Sequence, residues 1–599
     1  MRAFALFAVL AVACGEPPPE IPDAGRDAGV EDAATGPMLS PVAPAEMPRF
    51  ECPTGWAPTT LEGGPTVCDP FPMGHSVCGP NERQLPGEHS CVRIGPACPA
   101  GDWADDEPAT GILYVRAAAT DGDGTRAAPF GTVAEAVDAA GEGDTVLVAV
   151  GNYPAEILNL ERPVTIRGVC LDATLGTRSL VSGRSAGVRI ENIRFQGSTR
   201  GPVAWSGDLT LRSVAVRDVS LFGLASFGGD IDAEDVSIRG VSDEGVRIDG
   251  GAHLVARRLD VEDVSVTILS CHSSTCELED VSLIQRASSP ATDHSVRFSD
   301  NENTRLERVF IHNEQTDQMV ISGTSATMSD VVVRGPAIER NVDDPALFVV
   351  EGSTLEMDRV WLSGMHVAAI IVGSPGTSVV ARDVVVTDVH HSGMAAGYGV
   401  FVTQSAHLDV ERIWVERATA AGILISGTGT RVVASDLNVR RVRPVEDGFL
   451  GRGIQVQLGG ALEATRIHVE DTLESGIIVS QGASATLRDL VVSDIHERLC
   501  TPSGCPPAGN GVAAYLGASA DLERFRVSRT SLAALQLAMD GEIDAHDGEV
   551  FDNPVGVNLQ AEGYDLSRVT TDVVYRDNGV NLDSASFEIP DPTAPPVGI

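Results

Sequence analysis

A short motif, apolar–x–apolar, returns through most of this chain, usually with Asp or Arg just before it. Its first apolar residue falls at Ile193, Val214, Val236, Leu259, Val281, Val309, Val331, Val360, Val384, Ile413, Leu437, Ile467, Leu490 and Phe525, and more loosely at Val550 and Val569. The mean spacing is about 25 residues, inside the range of solenoid repeats. A second period sits on top of the first. Val331, Val384, Leu437 and Leu490 are each 53 residues apart, and Val360, Ile413 and Ile467 keep nearly the same step. The unit is therefore a pair of coils, one short and one with a longer loop. Leucine-rich repeats would carry an Asn-containing consensus, which is absent. Propeller blades would show hairpin turns every 8–12 residues. Strands of three to five residues with β-branched cores, separated by Gly and Asp turns, fit stacked parallel coils. Coils lie about 4.8 Å apart, so sixteen make a rod on the order of 75 Å long.

The entry to the solenoid has its own pattern. Ile112–Val115 reads as a strand. Thr132 and Glu135 form a capping box, and Val133, Ala136, Val137 and Ala140 share one helical face. Strands at 145–150 and 164–168 follow. This stretch, roughly 112–170, resembles the N-terminal entry of pectin-lyase-like proteins; later coils are similar in pattern only. The resemblance implies an all-β, right-handed parallel β-helix of about sixteen coils, with an N-terminal amphipathic capping helix over its first coil. An uncovered end of a parallel sheet stack would be an aggregation edge.

Met1 and Arg2 precede an apolar run from Ala3 to Ala13, followed by Cys14. The run is too short to span a bilayer, which needs about 20 apolar residues. It reads as a secretory signal. Ala11-Val12-Ala13-Cys14 resembles a bacterial lipobox, with Ala11 where Leu is usual. That implies cleavage before Cys14, acylation of Cys14, and an outer-membrane or cell-surface location through a lipid anchor. Residues 14–48, rich in Pro, Ala and Asp, read as a disordered tether. Residues 49–105 hold five cysteines, many Pro and Gly, and too little apolar content for a core, so this module depends on disulfides. The β-helix is expected over 106–588 and a Pro-rich tail over 589–599.

Apart from Cys14, ten cysteines remain, an even number in an exported chain, which points to disulfides. Cys271 with Cys276, and Cys500 with Cys505, are close enough to pair locally. Cys52, Cys68, Cys78, Cys91 and Cys98 are odd in number. The fifth needs Cys170, which would staple the module to the β-helix. No C-x-x-C occurs, which argues against structural zinc.

All 43 basic residues are Arg, against 84 acids. Such a surface repels nucleic acid and anionic lipid. The absence of Lys excludes lysine-dependent lyases and Schiff-base chemistry. It also excludes the Arg-Ile-Lys motif of the hydrolase branch of the fold; of that branch's motifs only an Asp343-Asp344 pair is present.

In the motif, positions one and three point inward and position two outward. The outward column reads Asp260, Ser282, Phe310, Val332, Trp361, Val385, Trp414, Asn438, His468, Val491 and Arg526. Phe310, Trp361, Trp414 and His468 are the candidate ligand-binding residues, because aromatic rings two coils, roughly 9.6 Å, apart match a disaccharide step. The alternative is that longer loops or the Cys-rich module roof the stripe. Asp388 with His390 or His391, and Asp494 with His496, are secondary candidates for metal or acid–base work. They stand 106 residues apart, four coils, and so cannot share an ion. Asp121-Gly122-Asp123-Gly124-Thr125 lacks the rest of a Ca²⁺ loop and reads as a turn.

The expectation is a monomeric, non-catalytic surface lipoprotein that binds polysaccharide or a surface partner, without cofactor, Ca²⁺ being the one ion left as an alternative. The competing readings are a polysaccharide lyase or hydrolase, and a structural envelope spacer, the last favoured if the stripe is covered from within.

Overall fold

The computed structural model describes residues 39–599 apart from 104–109, 154–156, 177–179, 184–186, 287–294, 314–318, 336–344, 392–395, 446–447, 499–507, 562, 588 and 590–599. Cys14, the signal segment, Cys500, Cys505 and Asp343-Asp344 lie outside the described residues.

The chain winds a parallel β-helix. Each typical coil has one long strand, such as Thr354–His366 or Ser378–His390, and one short strand, such as Ala368–Val372 or Tyr398–Thr403. Long strands pair with long ones and short with short, always in parallel. Eighteen short strands stack in order from Ile157–Leu160 to Val580–Asp583 among the described residues. The anchors align in register: Val331 with Val360, Val384, Ile413, Leu437 and Ile467 in turn. Positions one and three fill one continuous core, as at Val360 and Leu362. The two loosest marks are off register. Phe525 pairs with Gly548, and Gly548 with Val573, while Val569 sits in a short helix, Ser567–Thr570. A Cβ on Gly548 would meet the Phe525 ring at 2.0 Å. The bulky ring takes the space a second anchor would use, and the pattern is lost there.

The entry helix, α1, spans Val133–Ala139 with the Thr132–Glu135 capping box formed. It drives Val133, Ala136 and Val137 into the core of the first coils.

Just before each anchor the long strand turns through a left-handed residue. These corner residues alternate: Asp235, Arg258, Asp280, Arg308, Asp330, Arg359, Asp383, Arg412, Asp436, Arg466, Asp489, Arg524, Asp547. Asp tolerates positive φ; Arg does so at a cost of about 1–2 kcal/mol. The alternation offsets that cost. Arg359 reaches back one coil to Asp330 with Nε at 2.7 Å and Nη2 at 2.8 Å, and Arg412 does the same to Asp383 at 2.7 and 2.9 Å. Arg308–Asp280, Arg466–Asp436 and Arg524–Asp489 repeat the two-pronged pairing. One Asp coil and one Arg coil make the two-coil unit, which has the 53-residue step between Asp330 and Asp489.

The N-terminal segment lies against this ladder. Residues 39–48, expected to belong to the tether, run beside the coils as a strap. The N–H groups of Ser40, Ala43, Glu46 and Arg49 donate to Asp547, Asp489, Asp436 and Asp383, at 2.9, 3.1, 2.9 and 2.7 Å. The chain then forms the Cys-rich module, which descends along the same face. Cys52–Cys68 and Cys78–Cys91 close it internally, and Cys98–Cys170 staples it to the β-helix as expected. Cys271 pairs with Cys276.

Candidate functional site

The outward column stacks as the motif requires: Phe310, Val332, Trp361, Val385, Trp414, Asn438 and His468 are successive rungs. It is not open. Phe310 is 3%, Trp361 7% and Trp414 1% exposed. Trp56, Val67, Cys68 and Phe71 of the module pack on them as one apolar cluster. Phe71 meets Phe310 edge-on with ring centroids 4.9 Å apart. A Cβ on Gly64 would come within 2.9 Å of the Trp414 ring, so this glycine lets the module backbone approach the indole. Arg334 lies over Phe310 and Trp361 while pairing with Asp69 at 2.8 Å. Arg440 lies over Trp414 and donates to Gly63 O at 2.8 Å. The expectation that Phe310, Trp361 and Trp414 form a ligand platform is therefore corrected. A module without enough apolar surface for its own core and a stripe without a cover bury each other.

His468 stands one rung beyond Asn438, whose Nδ2 donates to Glu46 O of the strap. It stays partly exposed, 3.7 Å from Glu470. Burial holds its imidazole below the usual value against the pull of Glu470.

At the lower end of the column, module and β-helix meet through charge. His75 Nε2 lies 3.4 Å from Glu262. Asp260 accepts from Ser237 and from Arg239, and Glu262 from Arg286. Asp260 and Glu262 are buried, and among the described residues Asp260 Oδ1 and Glu262 Oε1 have no hydrogen-bond partner. His75, Asp260 and Glu262 have the donor types and proximity of a metal site. Arg239 and Arg286 already neutralise the two carboxylates, so a divalent cation would add uncompensated buried charge. The cluster suits a proton on Asp260. Burial, helped by the neighbouring charge of Glu262 and opposed by Arg239, pushes Asp260 up to about 7. An acid raised on folding adds stability below its unfolded value near 4, and that stability is lost as pH rises through 7. Protection factors of the amides around His75, which remove the base-catalysed rise of intrinsic exchange, are thus expected to fall between pH 4 and 7 and level off above; protection constant across that interval would contradict a protonated Asp260.

The loop candidates are spoken for. Asp388 and Asp494 occupy equivalent left-handed corners, but each takes a two-pronged arginine: Arg417 at 2.6 and 2.9 Å, and Arg529 at 2.7 and 2.6 Å. His496 turns instead to Asp471 at 3.0 Å. The His390 ring lies 5.6 Å from that of His366. Asp123 accepts from Thr125 N–H and Oγ1, the geometry of a turn.

One lateral face is left open, the outer surface of the first halves of the long strands. Across five coils it carries a shallow groove of about 410 Å³ whose lining includes Val380, Arg382, Glu411, Val433, Glu463 and Arg488. Val380 is 47% exposed. The charges are paired sideways: Arg382 with Glu411 at 2.9 Å, Arg431 with Glu463 at 2.9 Å, Arg488 with Glu523 at 2.8 Å. The result is a flat strip of hydrogen-bonding groups interrupted by small apolar side chains. Sequence reasoning missed this face because it lacks aromatic residues. It missed the strap too, although Pro41, Pro44 and Pro48 leave residues 40, 43, 46 and 49 free to donate.

No family model matches the chain, and no curated protein matches it. Among solved structures it is similar to the A-module of a mannuronan C-5 epimerase from Azotobacter vinelandii, at 13% identity over 76% of this chain and 94% of that one, with a TM-score of 0.21. It is similar to an alginate lyase at 8% identity, over 78% and 100%, with a TM-score of 0.18. It is also similar to the catalytic domain of an α-1,3-glucanase in complex with tetrasaccharides, at 9% identity, over 80% and 71%, with a TM-score of 0.19.

Proposed function

We propose that this chain is an exported, lipid-tethered surface β-helix that binds an extended polysaccharide without cleaving it, and that the binding face is the open groove rather than the aromatic column. The observation that carries the reading is the distribution of cover. The column of Phe310, Trp361 and Trp414 is roofed by the chain's own module, while the face around Val380, Arg382 and Val433 stays open. Along that face equivalent positions recur every coil, and two coils span roughly 9.6 Å, near a disaccharide step. The Arg and Glu side chains offer donors and acceptors in rows, and Val380 and Val433 offer apolar patches for sugar faces. Arg382, Arg431 and Arg488 tie up Glu411, Glu463 and Glu523, which favours holding a polymer over acid–base chemistry on it. The covered stripe favours a second reading, in which the rod is a spacer that displays its ends.

The deciding measurement is affinity electrophoresis of the mature chain through gels containing neutral and acidic polysaccharides, with assays for reducing ends and unsaturated uronates. Retardation by at least one polymer, weakened tenfold or more by Val380→Asp/Val433→Asp and unaccompanied by products, is the expected result. Product release would move the protein to the enzymes. No retardation by any polymer would leave the spacer.

A further inference from the structure

We propose that the strap at residues 39–49 fixes which part of the rod is held to the membrane, so that the C-terminal coils sit proximal and the N-terminal coils distal. The inference rests on the tether reading above, that the chain before Leu39 leads to an anchor.

The strap is in register with the ladder. Its donors fall every third residue, at Ser40, Ala43, Glu46 and Arg49. Their acceptors fall on every second coil, at Asp547, Asp489, Asp436 and Asp383. Two coils span roughly 9.6 Å. Three residues of polyproline II rise about 9.3 Å. The two repeats match to within a few per cent, so an extended Pro-containing segment meets one Asp per turn without slack. Pro41, Pro44 and Pro48 favour that conformation before docking and never fall on a donating position. Each acceptor is a side-chain carboxylate, and a bond to a carboxylate is stronger than one to a neutral oxygen. Arg524 together with the Ala43 N–H holds Asp489 below its usual range. At Asp436 burial pulls the other way, but Arg466 and the Glu46 N–H outweigh it.

The direction of the strap gives the rung order its meaning. Residue numbers rise from 40 to 49 while the rungs descend from Asp547 to Asp383. With the strap docked, Ser40 lies at Asp547, beside the last coils. With the strap released, the first fixed residues are those of the module near Trp361 and Phe310. Three two-coil steps separate these points, roughly 29 Å. The strap thus converts a mid-body attachment into an end-on one. An end-on rod projects its N-terminal coils away from the bilayer; a rod held at its middle can lie along it.

The test uses the chain from residue 14 with Cys14 replaced by an N-terminal hexahistidine tag, bound to vesicles containing nickel-chelating lipid. This anchor does not depend on acylation, so a failure of the lipoprotein reading, scored separately by acyl labelling in cells, is distinguishable from a failure of the polarity. A donor dye is placed at Asp138→Cys on α1 or at Thr571→Cys near the last coils, with acceptor dye in the lipid. Energy transfer severalfold higher from residue 571 than from residue 138 is expected. Ala43→Pro/Glu46→Pro preserves polyproline II geometry but deletes two of the four donors; it should bring the two signals within a factor of two. Amide exchange on the unaltered chain supplies the second readout, with Ala43 and Glu46 slow and Ala45 and Met47 fast. Equal transfer from both sites in the unaltered chain, transfer unchanged by the proline pair, or exchange without the three-residue period would each overturn the proposal.

Discussion

Trp414→Ala is expected to loosen the Cys-rich module by about 3–5 kcal/mol, the usual cost of truncating a buried indole. Trp414 is 1% exposed, caps the stacked column, and is sandwiched between the backbone at Gly64 and the guanidinium of Arg440. Its Nε1 donates to buried Glu416 at 3.3 Å. Removing the ring leaves a cavity between module and β-helix and strips Glu416 of that bond. The disulfide Cys98–Cys170 would still hold the module in place covalently, so the damage should be local opening. Amide exchange at Val67 and Cys68 measures it. The same variant should leave polysaccharide affinity at the open groove unchanged. If Trp361→Ala/Trp414→Ala abolished glycan binding while module amides kept their protection, the column would be a platform after all, and the assignment of the open face would fall.

Asp383→Ala should have an effect of similar size by a different route. Asp383 is buried, accepts two bonds from Arg412, and holds the Arg49 N–H of the strap. Deleting Asp383 takes both of its bonds from Arg412 and leaves that guanidinium only Glu411, at a cost of about 3 kcal/mol, the low end for breaking a buried pair. Arg412 is also left in a left-handed conformation with only its bond to Glu411 to offset the strain. Asp383→Ala/Arg412→Gly should therefore be milder than the single change, because glycine accepts that corner freely and the stranded charge is gone. Stability is best read coil by coil from amide exchange, since a solenoid need not unfold in one step. A loss under about 1 kcal/mol in Asp383→Ala would mean that the ladder is solvated decoration rather than a structural spine.

The covering of the stripe and the ladder explain why some features were legible and others were not. The coil period, the inward and outward alternation at Val360, Trp361 and Leu362, and the helix start at Thr132 follow from local chemistry repeated in register. They could be read from the chain because strand periodicity and capping act over a few residues. The two-coil unit was visible too, but the pairing between its coils was not. Asp and Arg before the anchors look like ordinary turn residues until stacking brings Arg412 onto Asp383, 29 residues away. That Cys170 pairs with a cysteine of the module was accessible to counting; that the partner is Cys98 was not.

What the sequence determined by itself, then, is the solenoid, its pitch, its entry helix and the existence of an outward aromatic column, all set by short-range pattern. What only the tertiary structure decided is which faces water sees. Phe310, Trp361 and Trp414 are buried by residues hundreds of positions earlier, and the strap meets Asp547 across 507 residues of chain. Exposure depends on the return path of a distant segment, and no local periodicity encodes that path.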